Sequence, residues 1–168
     1  ECPRADIADL QAIEPAFAGV DVVVHLAAVA SSKGPLDELL GPNVLGTYNV
    51  FEAARRAGVK RVIFASSGAT IAGYERDAPF SALVSGRYEA AGAWVTLTHD
   101  MPVRPAGLYG CTKVWGEALA RYYADEHGLS RICIRIGQVN AADRPTVARQ
   151  FSVWCSQRDV MRMIEACI

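Results

Sequence analysis

The chain has 168 residues, a formal net charge of −1, 51% hydrophobic side chains and 21% charged ones. That length suits a single domain able to bury a real core. The near-neutral balance supplies no basic field for nucleic acid, and no apolar run reaches the roughly 18 residues that a membrane span needs. The opening ECPRADIADL has neither the basic nor the apolar region of a signal peptide.

In chain order, ADLQAIEPAFAGV (8–20) reads as a short amphipathic helix stopped by Gly19, with Pro15 working against its continuity. DVVVHLAAVA (21–30) is a continuous β-branched run, the pattern of a strand covered on both faces. Residues 35–58 carry helical periodicity, a late Arg55-Arg56 pair and Gly58 as a stop. A second buried strand follows over 59–68. Residues 72–105 lack clear periodicity. GLYGCTKVWGEALARYYADEHG (107–128) is a strong helix, LSRICIRIG (129–137) a third strand, NAADRPTVARQFSVW an irregular loop, and 156–168 a final helix with Ser156 placed to cap it.

This alternation predicts an α/β fold, a doubly wound, Rossmann-like parallel sheet with helices on both faces, in one domain spanning 1–168. Ligands of such sheets bind beyond the carboxyl ends of the strands, here HLAAVA, ASSGAT and RIGQVN. Cys2, Cys111, Cys133, Cys155 and Cys167 are widely spaced, without a CxxC pair, and read as free thiols of a reducing cytosol. His25, His99 and His127 are also far apart, so no metal is expected. His25, inside an apolar strand, reads as a satisfied core histidine, and Trp115 and Trp154 as packing residues.

Ser66 and Ser67 end the second strand, and Tyr109 and Lys113 share a face one turn apart on the helix that follows. All four fall at the carboxyl edge of the sheet. A phenol with a reference pKa of about 10 is a poor base at neutral pH, and a nearby ammonium lowers that value. A serine hydroxyl can hold the substrate oxygen whose proton the tyrosine takes. That set suits alcohol oxidation by hydride transfer to a nicotinamide, or the reverse. The YxxxK spacing alone arises by chance in roughly one such chain in ten; its context makes it specific.

Together, DVVVHLAA, NVLGTYNVFEAARRAGVKRVIFASS and YGCTKVWGE resemble the extended short-chain dehydrogenase/reductase family, the NAD-dependent epimerase/dehydratase group, over nearly the whole chain. The resemblance implies Tyr109 as catalytic acid/base and Lys113 as pKa tuner and holder of the nicotinamide ribose. It further implies Ser67, ahead of Ser66, as the substrate-orienting serine, and Asn43 as support of a proton-relay water. Asp6 and Ile7 would contact adenine, and Leu26, Ala27 and Ala28 would line the cofactor, NAD, with NADP left open. Asp6 is alternatively a helix cap, and Asn43 a polar residue on a helix face.

Within the group, RPAGLYGCTKVWGEALARYY, RIG and FSVWCSQRDV look most like uronate (hexuronate) dehydrogenases. That comparison places Arg149 at a clamp for a substrate carboxylate, with Arg144 as competitor, and Gln138 near the substrate. The implied partner is a small sugar-like molecule, and the implied assembly a cytoplasmic homodimer packed through helices 35–58 and 107–128.

Departures bear on the substrate. Gly68-Ala69 replaces an Asn-His pair after the serine, and Ala30 a contacting serine, so a different substrate is expected. Residues 80–100 are an insertion expected to form a lid or a wall that reshapes the pocket. No Asp-Glu follows the serine, which disfavours a dehydratase, whereas a nucleotide-sugar epimerase and a non-catalytic Rossmann-like binding module stay open. No strand-GxxGxxG-helix unit occurs in the chain, so we expect a fragment of a longer enzyme that supplies the pyrophosphate site elsewhere.

Overall fold

The computed structural model describes residues 4–31 and 34–168; Cys2 lies outside them. Its frame is a parallel sheet of β1 (Val22–His25), β2 (Arg61–Ser67) and β3 (Ser130–Ile136), in that order. Val22 aligns with Arg61, and β2 and β3 run in register from Arg61↔Ser130 to Ser67↔Ile136. Neighbours in space are neighbours in sequence, so the described strands step across the sheet in one direction, as one half of a doubly wound sheet does. Central β2 is buried without interruption from Val62 to Ser66, which is why its sequence shows no polar alternation.

Helices form more locally than periodicity alone suggests. α1 (Leu10–Ile13) is capped by Asp9, whose carboxylate accepts from the Gln11 and Ala12 amides, and it gives way at once to a 3-10 turn over Glu14–Phe17 that contains Pro15. Asp9, not Asp6, is thus the cap. The expected single helix over 35–58 is divided into α2 (Leu36–Leu39), a π-helical turn (Leu40–Leu45) and α3 (Gly46–Ala57). Pro42 has no N–H to donate, and the ladder widens so that the Gly46 amide reaches the Gly41 carbonyl. Such a bulge re-aims the residues it carries, Asn43 among them.

Residues 68–105 contain 3-10 turns (Gly68–Thr70, Ala72–Arg76, Tyr88–Ala90) and the short α4 (Phe80–Val84). The long α5 (Leu108–His127) follows, and the expected irregular loop before the last helix contains α6 (Gln150–Val153). Ser156 caps α7 (Gln157–Glu165), accepting from the Asp159 amide at 3.1 Å, as its type and position suggested.

The main core joins α3, α5 and β2 through Val50, Phe51, Val62, Phe64, Leu119 and Tyr123. Each such side chain contributes roughly 1.5–3 kcal/mol on burial. Glu52 enters this core ionised: Arg55, Arg56 and the Tyr123 hydroxyl all donate to it, Arg55 foremost, and they hold its pKa down at about 2. Two glycines let α5 lie close. A Cβ on Gly116 would enter the Phe64 ring, and one on Gly110 would come within 2.6 Å of the Ala69 carbonyl. These contacts seat the first turns of α5 beside the end of β2.

Candidate active site

Period-2 alternation separates the two serines at the end of β2. Ser66 is buried and donates to Glu117 at 2.5 Å, and Glu117 also receives both Nε and Nη2 of Arg135 at 2.8 Å. Ser66 is therefore committed to α5 and β3. Ser67 is half-buried; its hydroxyl accepts from the Ala69 amide at 3.1 Å, and its proximity to Tyr109 draws the phenol's pKa down. Of the pair, only Ser67 meets the tyrosine.

Tyr109 and Lys113 occupy successive turns of α5. Lys113 is only 4% exposed; its Nζ donates to the Ala65 carbonyl at 2.8 Å and lies 4.9 Å from the Phe64 ring centroid and 5.6 Å from that of Tyr109. Among the described residues no carboxylate pairs with it. Burial draws its pKa down to about 8. An ammonium with three donors and one protein acceptor suits a neighbouring diol, such as the ribose of a nucleotide. Burial raises the Tyr109 phenol above its ordinary range, against an opposing pull from Ser67, so the free site holds it protonated.

Asn43 reaches this site through the π-helical turn. It is 2% exposed, accepts from the Val29 amide at 2.8 Å, and donates to the Val29 carbonyl (3.0 Å) and Thr112 Oγ1 (3.2 Å). One side chain thereby ties the loop after β1 to α5, between Tyr109 and Lys113. His25 bonds Thr47 at 3.3 Å, and burial, then the Lys113 charge, lowers its pKa to about 4, so it is a neutral core residue.

Of the residues expected at the cofactor, Ile7, Leu26 and Ala27 share the wall of a cavity of about 550 Å³ beside β1. Asp6 and Ala28 are not part of that wall; the Asp6 carboxylate accepts from the Ala8 amide at 2.9 Å. Beyond β3, Gln138 is locked against residues 153–155: its backbone N–H donates to the Val153 carbonyl, its carbonyl accepts from the Cys155 N–H, and its side chain accepts from Arg149 Nη1 at 3.1 Å. Arg149 is thus brought to Gln138, whereas Arg144 stays exposed. Arg149 is also gripped by Glu75, which takes Nε at 2.6 Å and Nη2 at 2.7 Å. Glu75 and Glu117 escaped the sequence reading. Glu75 lies in an aperiodic stretch, and Glu117 looks like one more acid on a helix. Trp115, expected to pack, is 41% exposed. No group of three His, Cys, Asp or Glu among the described residues is placed to hold a metal, and no described helix is long and apolar enough to cross a membrane.

Residues 2–157 match the model of the NAD dependent epimerase/dehydratase family. The chain is 38% identical over 166 residues to the uronate dehydrogenase of Agrobacterium fabrum, covering 99% of this chain and 55% of that protein. It is 37% identical over 177 residues to the L-arabinose 1-dehydrogenase (NAD(P)(+)) of Haloferax volcanii, covering 97% and 67%. A mutant uronate dehydrogenase from Agrobacterium tumefaciens, solved with NAD, superposes with a TM-score of 0.79 at 37% identity, covering 99% of this chain and 55% of that one. UDP-glucose 4-epimerase from Thermus thermophilus, also with NAD, gives 0.67 at 30% identity over 82% and 40%. The chain spans about half the length of the uronate dehydrogenases that it matches.

Proposed function

Because the chain belongs to the NAD-dependent epimerase/dehydratase family, we propose that the protein containing it oxidises a hydroxyl of a sugar-type substrate with NAD. The observation that carries this reading is the proximity, at one strand end, of Ser67, Tyr109 and a buried lysine that has no counter-ion among the described residues. Ser67 holds the substrate oxygen, and Tyr109 takes the hydroxyl proton. Lys113 supports the phenolate through the desolvated space between them and donates its free N–H groups to the ribose of the nucleotide. Bound NAD supplies the hydride acceptor. In the reverse direction Tyr109 begins protonated, the form that its burial favours, and donates to the carbonyl oxygen.

Asn43 keeps the loop after β1 at a fixed distance from α5 and supports proton relay, while Asp6, Ile7, Leu26, Ala27 and Ala28 serve the adenine and nicotinamide sides. We place the enzyme in the cytoplasm as a homodimer. The exposed apolar side chains Leu40, Leu45, Tyr48, Trp115 and Tyr122 on the two long helical segments support that assembly.

The test is NAD+ reduction by the full-length protein with a panel of sugars and sugar acids. Tyr109→Phe should lower kcat by about 10²–10⁴-fold, the usual worth of a general acid/base. Undiminished turnover by that variant would refute the assignment.

A further inference from the structure

The Arg149 guanidinium is a fork for a carboxylate, and it already holds one. Glu75 takes it in a bidentate pair at 2.6 and 2.7 Å, while Gln138 occupies Nη1 at 3.1 Å. The three residues come from separate places: the turn beyond β2, the residue after the Gly137 that follows β3, and the residue before α6. They therefore converge by tertiary structure at the carboxyl edge of the sheet. Glu75 also lines an apolar cavity of about 510 Å³ with Ile71, Phe80, Leu83, Tyr88 and Trp94, and among the described residues it is the only charged one in that lining.

We infer that Glu75 is a specificity-determining residue, a built-in carboxylate that fills the Arg149 fork and directs the site to uncharged sugar-type alcohols rather than sugar acids. This inference rests on the dehydrogenase reading above. A substrate carboxylate can use the fork only by displacing Glu75. Glu75 is 19% exposed at its side chain, so displacement would leave a poorly solvated acid beside a second like charge. No cation among the lining residues offers the acid another partner. A neutral hydroxymethyl group at the same position meets none of these penalties.

The test uses the full-length enzyme with D-galactose and D-galacturonate, which differ only in a hydroxymethyl group against a carboxylate. Wild type should favour galactose in kcat/KM. Glu75→Gln and Glu75→Ala should each raise the galacturonate-to-galactose ratio by about 10- to 100-fold, the range for a hydrogen bond to a charged group. A purely structural pair would lower both rates together and leave the ratio unmoved. A wild-type preference for galacturonate, or an unmoved ratio in both variants, overturns the inference. If wild type oxidises neither sugar, calorimetric titration with galacturonate separates the two claims. Binding to Glu75→Gln or Glu75→Ala but not to wild type keeps Glu75 as the selector and leaves the dehydrogenase reading to the wider panel; equal binding, or none, overturns the selector.

Discussion

Lys113→Met is the perturbation that most directly separates function from stability in this fold. The side chain keeps its length and apolar stem but loses its charge. Burial lowers the Lys113 pKa from 10.5 to about 8. At about 1.36 kcal/mol per unit, holding the ammonium at neutral pH costs the folded state about 3 kcal/mol. Removing it leaves the Ala65 carbonyl without that donor, a loss of about 1–3 kcal/mol. The variant should therefore equal or exceed wild type by up to about 2 kcal/mol at pH 7, while losing activity.

The pH dependence is the sharper readout. The folded pKa lies below the unfolded one, so the penalty is complete below about pH 8 and fades as pH rises towards 10.5. Across that window the unfolded chain binds the extra proton, and stability rises with pH. Wild type should gain about 2–3 kcal/mol from this group between pH 7 and pH 10, and the variant none. Urea unfolding of both proteins at four pH values measures the difference. A difference that stays flat from pH 7 to pH 10 would refute the idea that Lys113 is held charged at a cost.

His25 predicts a slope of the same sign at acid pH. Its folded pKa of about 4 lies below the ordinary 6.5, so its contribution is present above 6.5 and lost as pH falls towards 4. The cost is about 2 kcal/mol between pH 7 and pH 5, and His25→Gln should abolish that segment in denaturant titrations. Gly116→Ala should destabilise by about 1–3 kcal/mol despite the helix propensity of alanine, because its methyl enters the Phe64 ring; adding Phe64→Leu should recover part of the loss in thermal unfolding.

The parallel sheet was legible because its strands are buried runs bounded by glycines and helical periods, a pattern set by local chemistry and burial together. The Tyr109-Lys113 pair was legible for the same reason, since four-residue spacing on a helix fixes a shared face. Pro42 limited the helix reading, because a missing donor in a periodic stretch does not announce whether the helix stops or widens. The choice of Ser67 over Ser66 follows from strand alternation only once α5 is known to lie on the Ser66 side. Chain position brought Arg149 and Gln138 under suspicion, yet nothing in their neighbourhoods names Glu75, some 70 residues earlier. Local spacing and hydrophobic pattern thus determined most of the elements and the shared face of Tyr109 and Lys113. Tertiary packing alone decided the burial that tunes Lys113 and the acid that fills the arginine fork, because both depend on contacts between segments remote in sequence.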